Sequence, residues 1–342
     1  MLPQVALGGN AEAPSKTIPE KTVEEKIPSS ILQSERDNIL TLGVENDLFG
    51  RGTDNYYTSG IRASYLDVSS SIPEFAHDID DIIPGFEINE TTSLFYSIGQ
   101  NIFSPKDITN IANQVGDRPW AGYLYGSLGM TSITDNHQDQ IEVTLGVVGP
   151  YALGKQVQKF VHRHISNSPD PKGWDDQLNT EPALTVGWQR TFPQYLGAQI
   201  GPLYASASPY VGITAGNIYT FANTGFSVRM GPDTEKWQDL PDRVRPAMPG
   251  SGFYEIPAAG WSWYLFAGAE ARLVGRNIFL DGNTFSDSAS VDKNYLVGDA
   301  NAGLAITLGQ MRISYTANYR TREFKGQDKP EIFGAIGIGY RF

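Results

Sequence analysis

The sequence predicts an all-β protein, an antiparallel transmembrane β-barrel of about twelve strands with a short helix in an extracellular loop. Three observations predict it. Apolar and aromatic residues alternate with small or polar ones through most of the chain. The polar faces carry full charges in mid-strand, and the chain ends on a bare Phe342.

The alternation begins with Leu40, Leu42 and Val44 set against Thr41, Gly43 and Glu45. Tyr57, Ile61, Ala63 and Tyr65 alternate with Thr58, Gly60, Arg62 and Ser64. Ile141, Val143, Leu145 and Val147 alternate with Gln140, Glu142, Thr144 and Gly146. Met311, Ile313, Tyr315, Ala317 and Tyr319 alternate with Arg312, Ser314, Thr316, Asn318 and Arg320. A soluble β-sandwich alternates too. Charges such as Arg62, Glu142 and Arg312 within the pattern favour a polar lumen, and aromatics near strand ends favour an interfacial girdle. In the last strand Ile336, Ile338, Tyr340 and Phe342 share one face. A chain end held in a strand is unusual, because termini fray. The pattern matches an assembly signal read by the barrel assembly machinery through Tyr340-Arg341-Phe342.

Composition excludes several classes. The net charge of −12 argues against nucleic acid, whose phosphates need a basic face. With no cysteine, disulfide scaffolds and thiol chemistry are out. No run approaches the ~18 apolar residues of a membrane helix, so a spanning chain must close as a barrel.

Residues 1–37 read as a signal remnant or disordered tether, rich in Pro, Glu, Lys and Ser, and 38–342 as the barrel. The long connections are 67–91, 105–119, 149–182 and 231–261, expected as external loops. In one of them Val157, Phe160, Val161 and Ile165 recur at helical spacing, and Pro169 and Pro171 follow. Gln158 and His162, four apart, share a face of that helix.

Of the four histidines, His77 and His137 read as solvated loop residues, and His164 points to another face from His162. A neutral imidazole at His162 can deprotonate water, although a helix-surface histidine beside Arg163 is the plainer reading. Glu45-Asn46-Asp47 and Thr53-Asp54-Asn55 sit at neighbouring strand ends. Such residues are ordinary turn formers, and their hard oxygens also suit Ca²⁺. Nucleophile elbow, Walker loop, zincin and dinucleotide motifs are all missing, so a metal-assisted attack by water is the simplest hydrolysis.

Eight phrases in order, from about residue 38 to the end, resemble the outer-membrane lipid A 3′-O-deacylase family, LpxR. They are Val44-Glu45-Asn46-Asp47, Tyr56-Tyr57-Thr58-Ser59-Gly60, Gln100-Asn101-Ile102-Phe103-Ser104-Pro105, Gly116-Asp117-Arg118-Pro119-Trp120 and Gly146-Val147-Val148-Gly149-Pro150. Gln156-Val157-Gln158 through His162-Arg163, Gly173-Trp174-Asp175-Asp176-Gln177 and Thr321-Arg322-Glu323-Phe324 complete the set.

The resemblance implies a twelve-stranded barrel in the bacterial outer membrane, with its active site facing the extracellular side between the rim and a loop helix. It implies calcium-dependent removal of the 3′ acyloxyacyl group of lipid A, by a mechanism similar to that of phospholipase A2. His162 takes the place of the base and Gln158 of the helix glutamine; Asn46 and Asp47 hold the Ca²⁺, and Thr58 is a hydrogen-bond partner. The family's lysine position falls near Asn110, with Lys106 close by, and its acidic position falls on Ser168, two residues before Asp170. Lys106 and Arg163 are the expected contacts to lipopolysaccharide, and Lys155, Lys159 and Lys172 add positive charge. Strand parity puts Tyr57 on the lipid face with Thr58 inward, and Asp47 inward with Asn46 opposed, unless a bulge intervenes. The rival readings are a barrel phospholipase on glycerophospholipids and a non-enzymatic porin or structural barrel, the latter with an open lumen.

Overall fold

The computed structural model describes residues 38–342 apart from 50–55, 69–71, 75, 77–82, 90, 112–114, 135, 167, 233–238 and 247–249. The tether, His77 and the Thr53-Asp54-Asn55 cluster lie outside the described residues.

Alternating segments pair with their chain neighbours to give β1 (Ile39–Asn46), β2 (Tyr56–Asp67), β3 (Ser93–Ser104), β4 (Ala121–Ile133), β5 (Gln138–Val148) and β6 (Glu181–Thr191). There follow β7 (Leu196–Ile200), β8 (Leu203–Gly216), β9 (Tyr219–Gly231), β10 (Trp261–Asn277), β11 (Leu296–Leu308), β12 (Met311–Arg320) and β13 (Glu331–Arg341). All the pairings are antiparallel, and β1 pairs with β13. β6 pairs with β8 and closes the ring, while β7 pairs with β8 alone, so twelve strands form the wall. No strand edge is left to lipid, which has no groups to satisfy one. The first strand begins and the last strand ends at one rim, where Ile39 faces Arg341 and the Asn38 N–H donates to the Phe342 carbonyl at 2.9 Å.

The two faces follow the sequence pattern. Leu40 and Leu42 are exposed on the outside, while Thr41, Gly43 and Glu45 are buried inside. β12 alternates the same way over its whole length, with Arg312, Ser314, Thr316, Asn318 and Arg320 inward. Outward apolar residues stay in a medium that welcomes them; inward charges need partners.

Some of those partners lie on other wall strands, and others come from the segment between β9 and β10. That segment starts at the rim where β1 begins and enters the lumen. Arg243 Nε donates to Glu45 at 2.6 Å, Arg245 Nε to Glu142 at 3.0 Å, and Arg62 Nε to Asp242 at 3.3 Å. Arg62 also donates to Glu142 at 2.8 Å, and Arg312 to the Gly252 carbonyl at 2.6 Å. At the other rim the short helix α2 (Ile278–Asp281) follows β10. Its Phe279 stacks on Phe103 at 4.0 Å and meets Tyr219 at 5.5 Å, which closes the mouth. Among the described residues the lumen is therefore filled from both ends; a cavity of about 100 Å³ beside Glu142 and Arg245 remains. This opposes the open lumen a porin requires.

The long connections split between the rims. Those after β3 and β5 lie opposite the rim where β1 begins; those after β2 and β9 lie on the same side as it. The expectation that all four are external loops is thus corrected. The reason is that the β9–β10 segment packs as a plug in the lumen.

Candidate active site on the barrel wall

The segment after β5 leaves the wall at Val148 and turns at Gly149, whose φ of 91° suits glycine. It then lies on the outer face of the barrel. Gln100 Nε2, pointing outward from β3, donates to the Ala152 carbonyl at 2.6 Å. The helix α1 (Gly154–Val161) packs against β3 and β4. Gly122 permits this contact, since a Cβ there would come within 3.2 Å of the Gly154 backbone. A second loop locks the first: the Lys172 N–H donates to Ile108 O, the Leu178 N–H to Trp120 O, both at 2.9 Å, and Trp120 packs on Trp174 at 5.0 Å.

α1 buries its polar side. Gly154, Gln158 and His162, at successive fourth positions, face the wall, with Gln158 2% and His162 3% exposed. At His162 the helix widens into a π turn, His162–Ser166, a distortion that recurs at functional sites. His162 Nδ1 lies 2.7 Å from the Pro169 carbonyl. A carbonyl can only accept, so Nδ1 carries a proton, and in the neutral ring the lone pair is then on Nε2. Trp174 Nε1 donates to Gln158 Oε1 at 2.7 Å. An indole N–H can only donate, so the Gln158 amide orientation is forced, and its buried Nε2 has no hydrogen-bond partner among the described residues.

The other candidates fall in three groups. Asn46 closes β1, and Asp47 opens a short turn, Asp47–Phe49, where it is buried. Asn46 pairs with Ser59, Ser59 with Ile102 and Ile102 with Gly122, which places them in one row around the wall. Three strand spacings make that row roughly 14 Å long. Thr58 is the extra residue of a bulge, where Tyr57 opposes Phe103 but Ser59 opposes Ile102. The bulge reverses the parity, so Tyr57 is buried against Phe103 and Phe333 instead of facing lipid, which corrects the sequence expectation. Thr58's side chain is not among those described.

Lys106 and Arg163 are exposed and paired, with Lys106 Nζ 2.5 Å from Asp328 and Arg163 2.6 Å from Asp170. The Arg163 hydrogen bonds hold the Asp170 carboxyl below its ordinary range. Lys155 likewise pairs with Asp175 at 2.6 Å, so part of the expected positive charge is neutralised. Asp170 is therefore engaged with Arg163, and the Pro169 carbonyl accepts the hydrogen bond from His162 Nδ1–H. Trp174 and Pro169 had no role on sequence grounds. Gly173, which leaves room for Trp120, was the available hint for Trp174.

Among the described residues no three histidine or acidic side chains gather as a metal cluster. The donor set at the β1 end, a carboxylate and a carboxamide beside backbone oxygens, still fits Ca²⁺, which accepts neutral oxygens and water. Asn46 and Asp47 are the residues that would hold it.

The closed wall and lipid-facing band define an outer-membrane β-barrel, with polar side chains buried beneath a helix on its outer face. The chain belongs to the LpxR outer-membrane protein family, whose model matches residues 17–342. It is similar to the solved structure of LpxR from Salmonella typhimurium, at 22% identity, covering 89% of this chain and 100% of that one, with a TM-score of 0.71. The β domain of the Bordetella autotransporter BrkA aligns over 90% of this chain and 98% of its own at 9% identity, with a TM-score of 0.40. No curated protein matches the chain.

Proposed function

We propose that this protein is a lipid A 3′-O-deacylase that hydrolyses the 3′-linked acyloxyacyl ester of lipopolysaccharide at the extracellular rim. One observation carries the reading: His162 is buried on the wall side of α1 with its Nδ1 proton fixed on Pro169, one helical turn from an orientation-locked Gln158. Family membership supports the lipid A substrate. The rim opposite the start of β1 is taken as extracellular, since barrels of this class begin their first strand and end their last in the periplasm.

His162 Nε2 accepts a proton from water as the oxygen bonds to the ester carbonyl carbon. The carbonyl oxygen becomes an oxyanion, and Gln158 Nε2 donates to it. The tetrahedral species then collapses, the ester C–O bond breaks, and the proton on Nε2 passes to the departing sugar hydroxyl. A divalent cation held by Asn46 and Asp47 would polarise the same carbonyl. Pro169 keeps the imidazole in the tautomer that can act as base.

The test is the lipid A mass spectrum of outer membranes carrying the wild-type protein or His162→Ala, with calcium or a chelator. Loss of one acyloxyacyl unit, absent in both controls, is the expected result. An unchanged spectrum from folded wild-type barrel rejects this reading.

A further inference from the structure

The residues of α1 sort into three sectors at about 100° per residue. Gly154, Gln158 and His162 form the buried sector. Lys155, Lys159 and Arg163, also at successive fourth positions, form a basic sector beside it. Val157 and Phe160 lie on the remaining side, exposed, with Phe160 58% accessible, beside the exposed Gln156 and a His164 ring stacked on Phe160 at 4.7 Å. Tyr151 and Leu153 precede them and Ile165 follows, all exposed. A helix docked on a protein ordinarily buries its apolar stripe; this one turns it away.

What that stripe meets follows from where the loop lies. It covers the outer, lipid-facing side of the wall, not the lumen. On β3 the outward residues are Tyr96, Ile98, Gln100 and Ile102. Ile98 is 61% exposed, Gln100 bonds to the loop and Ile102 is buried beneath it. The loop therefore begins within roughly 7 Å of bare lipid-facing wall, two residues along a strand. On β5 the exposed Leu145 lies five residues before the turn that leads to Tyr151. The apolar band of β3 and β5 thus reaches up to the loop that carries α1. A basic sector on one flank and an apolar one on the other is the pattern of a helix lying in a membrane interface.

We propose that α1 is an interfacial helix whose Val157–Phe160 side inserts among the acyl chains of the outer leaflet, with Lys155, Lys159 and Arg163 at headgroup level. This deepens the deacylase reading: an acyl chain reaches the cleft beneath α1 from the membrane side, without crossing water. Insertion itself does not depend on that chemistry.

The absence of cysteine makes the test clean, since a single introduced thiol takes the only label. Spin labels are placed at Phe160→Cys, Val157→Cys and Lys159→Cys, with Leu145→Cys as a lipid-facing reference and Lys325→Cys as an aqueous one. The full chain is reconstituted in phosphatidylcholine vesicles containing lipopolysaccharide, and accessibility to oxygen and to a water-soluble nickel chelate is measured. The expected result is an oxygen-to-nickel ratio at 157 and 160 that matches 145 and exceeds 159 and 325 several-fold. Ratios at 157 and 160 equal to those at 159 and 325 overturn the proposal. In a second arm, Phe160→Ser lowers turnover in vesicles by about tenfold, the loss of one buried aromatic side chain, and leaves turnover in detergent micelles unchanged. A lipid-like label on a protein without hydrolytic activity keeps the insertion and rejects the deacylase reading, so the two failures are distinct.

Discussion

Two regions of this barrel bury polar side chains, and they do so differently. In the lumen, Arg62 lies between Glu142 and Asp242, Arg243 meets Glu45, and Arg272 and Arg320 share Asp299. Charge is met by opposite charge there. Beneath α1 the buried groups are neutral, and they are held by single-purpose partners: a carbonyl for His162, an indole for Gln158. Each partner fixes an orientation, and at Gln158 it leaves Nε2 without a hydrogen bond among the described residues. Compensated burial is what a scaffold needs, because breaking one ion leaves another stranded. Oriented but incompletely used polarity is what a catalytic surface needs, because its remaining valences are meant for the transition state.

That contrast is broken first at its extremes. His162→Ala should lower deacylation by about a hundred- to ten-thousandfold, the range of a general base, with the folded barrel unchanged by heat-modified gel mobility. A variant that keeps turnover would move the cleft into the scaffold class. Glu142→Ala should do the reverse: it leaves the buried Arg62 and Arg245 to share Asp242 and costs about 1–3 kcal/mol in denaturant unfolding, while activity per folded molecule stays within a few-fold. If both variants lose stability alike, the distinction between the regions fails.

How far the sequence reveals each region has the same physical root. The wall was readable because side chains alternate in a strand, and alternation survives in the one-dimensional record. It misled at Tyr57, where one extra residue at Thr58 turns a ring inward. A bulge has no residue signature of its own. The plug was not readable at all. Asp242, Arg243 and Arg245 look like a solvated loop until the lumen charges they meet are known. In the cleft, Gln158 and His162 were legible through their fourfold spacing. Pro169 was not, because it acts through a backbone carbonyl that every residue has. Trp174 stood inside a recognisable phrase, yet its purpose lies in a contact 16 residues away.

The orientation of Gln158 allows a finer cut. Trp174→Phe keeps the ring and removes the donor, which frees the amide to rotate. Loss of one net hydrogen bond, about 0.5–1.5 kcal/mol, should lower kcat roughly two- to tenfold with KM little changed. Gln158→Glu keeps the acceptor for Trp174 and removes the donor, so it should lose more activity while remaining folded. Equal effects of both variants on KM alone would make Gln158 a packing residue.

The smallest expected effect belongs to a scaffold contact in a loop, where charge compensation can be titrated. Arg118 joins the β3–β4 connection to Glu323 in the β12–β13 connection at 2.5 Å. Burial alone would raise the Glu323 carboxyl, but Arg118 and Arg320 outweigh it and hold it below the usual range. A depressed carboxyl stabilises the fold above its unfolded value, about 4.3, and that contribution is lost as pH falls through the lower folded value. The two loops should therefore stay joined at neutral pH and loosen in acid, seen as faster amide exchange around Arg118 and Phe324. Glu323→Gln should show that faster exchange already at neutral pH and lose its acid dependence.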